Sequence, residues 1–211
     1  MPKISAEQAE DRRERIIQAA VECFSANGFH ATTMRDICRA AGMSSGAVYG
    51  YFGGKEDIVE AMGNQTRGRN ESAFLQAMGR ENTGEVFEEL LKAFFEQFKL
   101  PEGMLGTRLD ILLQAEALRN QKLEGIFKTG FGQAHQFLCQ VVKKGQAQGE
   151  LNPELDVESA AFVLMGMVPA LGLMKTFFPR LNVDDYIRVV KAMVGGDFAV
   201  KSEGAGPKPA G

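Results

Sequence analysis

The residues best able to act on a partner lie close together. Thr33, Arg35, Ser44, Ser45, Tyr49, Tyr51 and Lys55 all fall within TMRDICRAAGMSSGAVYGYFGGK, residues 33–55. Hydroxyls and scattered cations, with no base beside a nucleophile, suit donation to phosphate oxygens better than bond making. Gly46, Ala47 and Gly50 lie on one face of the same stretch and leave it bare. Interior glycines cost a helix about 1 kcal/mol each against alanine, so this face needs small residues. Backbone-close entry into a DNA major groove would supply that need, with Tyr49 and Tyr51 reaching phosphates on either wall. Ser44, Ser45 and the helix N-terminus add neutral donors.

A second chemistry is spelled by the same letters. Gly42-Met43-Ser44-Ser45-Gly46 matches G-x-S-x-G, and Ser44, Asp110 and His135 follow the hydrolase chain order. That elbow requires a strand before the serine, whereas a capped helix precedes it, so no enzyme is expected. Zinc, nucleotide and P-loop signatures are also missing from the sequence, and neither a cofactor nor a metal is expected.

The elements that must hold these residues are helices. Thr33 with Asp36 three residues on is a capping box, and Met34, Ile37, Cys38 and Ala41 follow as one apolar face. Gly42 has the place of a left-handed stop. Ser44 is an N-cap for a second helix reaching to about Phe52, with Val48 and Phe52 turned inward. Before this pair a helix is expected from Arg12 to the Asn27-Gly28 turn, with Ile16, Ile17, Ala20, Val21 and Phe24 as its stripe; residues 1–10 read as a frayed arm. Arg12, Arg13 and Arg15 either follow DNA phosphates or are solvated, and His30 reads as an exposed loop residue. After Gly53-Gly54, a helix with acids in its first turn runs from Asp57 to about Met78, interrupted by Gly63 and Gly68.

The run from about Arg12 to Ile58 resembles the DNA-binding domain of the TetR/AcrR family of bacterial repressors, through IIQAAVECFSANGF, TTMRDICRAAG and SSGAVYGYFGGKEDI. Gly-Phe, two threonines, Ala-Gly, Ser-x-Gly-x-aliphatic-Tyr, Tyr-Phe and Lys-Glu occur in the family's order. Gly50 departs from it, replacing a bulky aromatic or histidine, which implies a sparser direct readout. The resemblance implies DNA contacts from Thr33, Arg35, Ser44, Ser45, Gly46, Ala47, Tyr49, Tyr51 and Lys55, the last to a phosphate. It also implies a helix-four connector, a small-molecule pocket in the body, and a homodimer built by the last two helices of each subunit. The function implied is that of a ligand-responsive transcriptional regulator, a repressor that a largely hydrophobic effector releases from its operator. Near-complete release needs an effector preferring the non-DNA state by about 10⁴-fold. The alternative is a helical small-molecule-binding protein that no longer binds DNA.

The rest of the sequence is all-α by periodicity. Val86, Phe87, Leu90, Leu91, Phe94, Phe95 and Phe98 make a stripe closed by Pro101 and Gly103. Segments follow from about Gly106 to Arg119, Gln121 to Gln148, Asp156 to Phe178 with Pro169 in mid-course, and Val183 to Met193. The domain division expected is 11–71 for the DNA-binding head, its motif at 33–52, then 72–200 for a ligand-binding and dimerisation body, and 201–211 for a disordered tail. Phe94, Phe98, Met104, Phe127, Phe131 and Met165, with Phe95, Phe137 and Met167, could line a deformable apolar cavity, the alternative for each being ordinary core packing. Glu116 and His135 are its candidate polar contacts.

Composition bounds the partners. With 45% hydrophobic residues among 211, the chain can bury one or two modest cores. No apolar run reaches the ~18 to 20 residues of a membrane span, and Ser159 to Met174, the longest uncharged run, reads as a buried helix. Three cysteines without metal spacing, Cys23, Cys38 and Cys139, suit a reducing cytoplasm; each is a core residue or, alternatively, a thiol sensor. The net charge is −3, and residues 30–55 carry Arg35, Arg39 and Lys55 against Asp36 alone. So few cations predict a shallow salt dependence of DNA binding.

Overall fold

The computed structural model describes residues 5–195; the expected tail at 201–211 and residues 1–4 of the expected arm lie outside them. Among the described residues the chain forms nine α-helices, one 3-10 turn and no strand. The first helix, α1 (Ala6–Ala31), begins earlier than expected. Ser5 and Gln8 form a capping box, the Gln8 N–H donating to Ser5 Oγ at 3.1 Å, and this orders what reads as a frayed arm. Gly28, at φ +77°, breaks the helix as its sequence position suggests.

Two short helices follow, α2 (Met34–Ala41) and α3 (Ser45–Tyr49), then the long α4 (Lys55–Met78). α3 stops at Tyr49 rather than Phe52, because two further turn bonds from Tyr51 and Phe52 to the Val48 carbonyl close the chain on itself. α4 runs unbroken through Gly63 and Gly68. At Gly63 a Cβ would stand 3.2 Å from Ile126 Cγ2, so the glycine lets two helices approach closely.

The remaining helices are α5 (Thr83–Phe95), α6 (Pro101–Ala117), α7 (Gln121–Ala147), α8 (Val157–Phe177) and α9 (Val183–Val194), with a 3-10 turn (Glu96–Lys99) after α5. The Pro101–Gly103 break expected from the sequence is instead the first turn of α6. Proline at the first helical position lacks only an N–H that would be unsatisfied there anyway. Gly103 lies against the Gln97 carbonyl, where any side chain would collide.

The buried residues gather into three clusters. One joins Ile16, Phe24, Ile37, Val48 and Phe52 of α1–α3 to Ile58, Leu109, Leu113 and Leu123 of α4, α6 and α7. A second, around Phe74, Val86, Leu138 and Ala161, packs α4, α5, α7 and α8. The third, around Leu91, Phe95, Phe98, Leu171 and Val190, holds α8 and α9 against α5 and its 3-10 turn. Polar links span the first boundary: Lys122 pairs with Asp57, and Asn120 donates to Glu56 at 3.1 Å.

α8 corrects two expectations. Only Ala161, Leu171 and Gly172 are buried in it, while Phe162, Val163, Leu173, Met174 and Phe177 are exposed. Charged residues occur only near its ends, at Glu158 and Lys175, so its 21 residues do reach the length and apolarity of a membrane span, and little of that apolar surface is buried within the chain. Its apolar residues exceed what its neighbours within the chain can cover.

Candidate nucleic-acid interface and body cavities

The α2–α3 unit is held from beneath by its own apolar residues. Ile37, Cys38, Ala41, Val48 and Phe52 are buried in the first cluster, and this fixes which side of each helix faces out. Both starts are capped. Thr33 Oγ1 accepts from the Asp36 N–H at 3.2 Å and donates to Asp36 Oδ2 at 2.6 Å, while Ser44 Oγ accepts from Ala47 N–H at 3.3 Å. The Thr33 hydroxyl and the Thr33 backbone N–H, the latter at 3.0 Å, both donate to the Asp36 carboxylate and, helped by Arg39 and Arg35, hold its pKa below the ordinary value. The turn between the helices is Gly42, at φ +64°.

The outward face carries Thr33, Arg35, Arg39, Ser44, Ser45, Gly46 and Tyr49, all exposed, with Ala47 half-buried. Nothing lies within 4 Å of the Cβ that Gly46 lacks, so packing within the chain does not demand glycine there. Tyr49 is 53% exposed, whereas Tyr51 is half-buried and packs against the first cluster, so the two tyrosines are not equivalent. Arg39, not among the contacts expected from the sequence, is exposed one turn from Arg35 on the same helix, an i, i+4 spacing visible in the sequence.

Several cations serve the fold. Lys55 Nζ donates to the Phe29 carbonyl at 2.6 Å and lies 4.4 Å from the centroid of the Phe29 ring, which ties the start of α4 to the end of α1. Arg15 donates to the Ala41 carbonyl at 2.9 Å and so caps the C-terminus of α2. Arg13 lies over the Phe52 ring at 5.5 Å, which leaves Arg12 as the exposed arginine of the three that neither caps a helix nor stacks on a ring. Thr32 is buried, its hydroxyl donating to the Gly28 carbonyl at 2.7 Å. His30 is exposed, as its turn position implies.

The expected cavity residues are brought together only in part. Phe127 and Phe131 pair at 5.9 Å beside the first cluster, Met165 joins the second, Phe98 and Met104 join the third, and Phe94 bridges these two. Glu116 instead lines an open cleft of about 630 Å³ with Phe29, His30, Lys55 and Lys122, between α1, α4 and the α6–α7 turn. A smaller hollow of about 210 Å³ separates α4 from α7, walled by Arg67, Glu71, Phe74, Gln133, Phe137 and Gln140. Asp110 is exposed at the surface, yet desolvation by the protein around it, opposed by Arg69, raises its carboxyl pKa to about 6.

Ser44 and His135, two of the three hydrolase-order residues, have separate partners. Ser44 caps α3, and His135 contacts Glu158 and Cys139, with its ring stacked on Phe162 at 4.0 Å. Cys23, Cys38 and Cys139 are all free thiols, the second and third buried. Burial raises the pKa of Cys23 and Cys139, and Glu158 adds to the shift at Cys139.

Comparison with known proteins adds four findings. Residues 16–62 match the family model described as bacterial regulatory proteins, tetR family. Over 197 residues, 90% of this chain and 94% of the relative, the sequence is 28% identical to the HTH-type transcriptional regulator UidR of Escherichia coli. Among solved structures, GusR of Salmonella enterica is similar at a TM-score of 0.76 and 24% identity, covering 93% of this chain and 98% of that one. FadR of Bacillus subtilis, solved with stearoyl-CoA, is similar at 0.73 and 23% identity, covering 87% and 98%.

Proposed function

The chain belongs to the TetR family of bacterial regulatory proteins, and on that premise we propose that it is a repressor that leaves its operator when a small, largely hydrophobic effector binds. The observation that carries the DNA-reading half is the bare, exposed edge of α3. Gly46 has open space around it, polar residues flank it, and Val48 and Phe52 anchor the opposite side. Close approach of backbone to base edges accounts for a glycine that internal packing does not require. Ser44, Ser45, Tyr49, Arg35 and Arg39 then contact backbone phosphates. The division into a head at 11–71 and a body at 72–200 belongs to the same reading, although the first apolar cluster runs from one into the other.

Two copies are part of the proposal. A reading helix of five residues covers too few base pairs for specificity, and a dimer reads two half-sites about 34 Å or a multiple apart. The exposed apolar residues of α8 and α9, among them Val163, Phe177, Val189 and Met193, are the surface for that pairing. The effector reading is supported by the apolar second and third clusters and by a relative of similar fold solved with stearoyl-CoA. A protein of this kind works in the cytoplasm and catalyses nothing.

The test is enrichment of random duplex DNA on the purified protein, beside an Arg35→Ala, Tyr49→Ala variant. Both side chains are exposed, so the variant keeps the fold. A motif of two half-sites, enriched by the parent and lost in the variant, is the expected result. Failure to enrich any motif with folded protein favours a small-molecule binder without DNA binding.

A further inference from the structure

We propose that His135, Cys139 and Glu158 form a binding site for a borderline d-block cation of the Zn²⁺ type, joining α7 to the first turn of α8. His135 and Cys139 stand at i and i+4 on α7 and therefore on one face; Glu158 comes from the neighbouring helix. Their ligand atoms all lie within 4.8 Å of one another. His135 Nε2 is 3.4 Å from Glu158 Oε2 and 3.8 Å from Cys139 Sγ. Metal bonds of about 2.0–2.1 Å to nitrogen and oxygen and about 2.3 Å to sulfur put tetrahedral edges at roughly 3.3–3.6 Å. Two edges of such a polyhedron are thus already close to length. The third closes by rotation of Glu158, whose side chain is 67% exposed and free to move.

The donor set selects the cation. Thiolate with imidazole and carboxylate is the choice of zinc and its neighbours rather than of magnesium or calcium, which take oxygen ligands. Stacking on Phe162 at 4.0 Å fixes the ring plane. On binding, the Cys139 S–H releases its proton to solvent, and His135 Nε2 exchanges its contact with the Glu158 carbonyl, now at 3.2 Å, for the metal. Three protein ligands leave a fourth position, on the exposed side of Glu158, for water or a small ligand.

The full chain, treated with chelator and then titrated with Co²⁺, tests this without reference to DNA. One equivalent per chain should produce a thiolate-to-cobalt charge-transfer band with tetrahedral visible bands, and Zn²⁺ should displace both. Cys139→Ser should remove the charge-transfer band, whereas Cys23→Ser should keep it. Glu158→Gln, an exposed change that cannot unfold the helix, should weaken Co²⁺ binding at least about tenfold. No band, a band insensitive to Cys139→Ser, or unchanged affinity in Glu158→Gln would each overturn the site and leave a His–Cys contact that only packs α7 on α8.

Discussion

Gly42 turns the chain between α2 and α3 at φ +64°, and the nearest atom to a Cβ there, Arg15 Nη2, is 3.8 Å away. The position is therefore constrained by backbone conformation and not by space. Gly42→Ala should cost about 1 to 2 kcal/mol, read as a lower urea midpoint at constant slope. Asp110 makes the opposite kind of claim. Its folded-state carboxyl pKa, about 6, lies above the ordinary value of 3.8, so folding disfavours the charged form. Stability should therefore rise as pH falls through about 6 toward 3.8, and be lower above that window. Asp110→Asn should raise the melting temperature at pH 7.5 and flatten the profile between those values. An unchanged profile would mean that the carboxylate is solvated. Arg15, which the sequence leaves as either phosphate-following or solvated, and Lys55, for which the family resemblance implies a phosphate contact, are engaged by carbonyls of α2 and α1. One-dimensional spacing cannot reveal that competition, because the carbonyls that attract them are 26 residues away.

At the scale of elements, caps and stops were legible wherever side chain and backbone lie within three or four residues. Thr33 with Asp36, Gly42 and Ser44 all act locally, and the limits of α2 and the start of α3 follow from them. Boundaries are misread where a breaker serves as a starter, as at Pro101, where a further cap at Ser5 extends α1, and where turn bonds to the Val48 carbonyl end α3 early. Close helix contacts are another feature of this scale. Gly172 sits where a Cβ would be 2.6 Å from Thr107 Cγ2 and 3.0 Å from Phe98 Cε1, so α8 approaches α6 and the 3-10 turn through it. Gly172→Ala should destabilise by about 1 to 3 kcal/mol through overpacking, in contrast with Gly166→Ala, whose Cβ meets nothing within 4 Å and which should be neutral or slightly stabilising. Thermal unfolding of the two variants side by side separates packing from helix propensity.

The molecule as a whole presents a weakly charged face on α2 and α3, the proposed reading face, and a broad apolar flank on α8 and α9. With Arg35 and Arg39 exposed on α2 and Lys55 engaged internally, few cations per subunit remain for phosphates. The logarithm of operator affinity should fall against the logarithm of salt with a slope well short of −10, the value for a heavily basic repressor. A steep slope would require cations beyond this face. The flank predicts concentration-dependent assembly: Phe177→Glu with Val189→Lys, both exposed, should shift sedimentation from dimer to monomer and abolish two-half-site binding while leaving each helix intact. From its sequence alone this protein is all-α, with a capped pair of short helices whose bare polar edge suits DNA, since caps, glycine stops and apolar periodicity act over three to seven residues. Only the tertiary structure decided which cations stay free, that the expected cavity residues divide among three clusters, that α8 lies uncovered, and that Glu158 meets His135 and Cys139. Those outcomes depend on contacts between residues far apart in the chain, and helix packing sets them where no local pattern can.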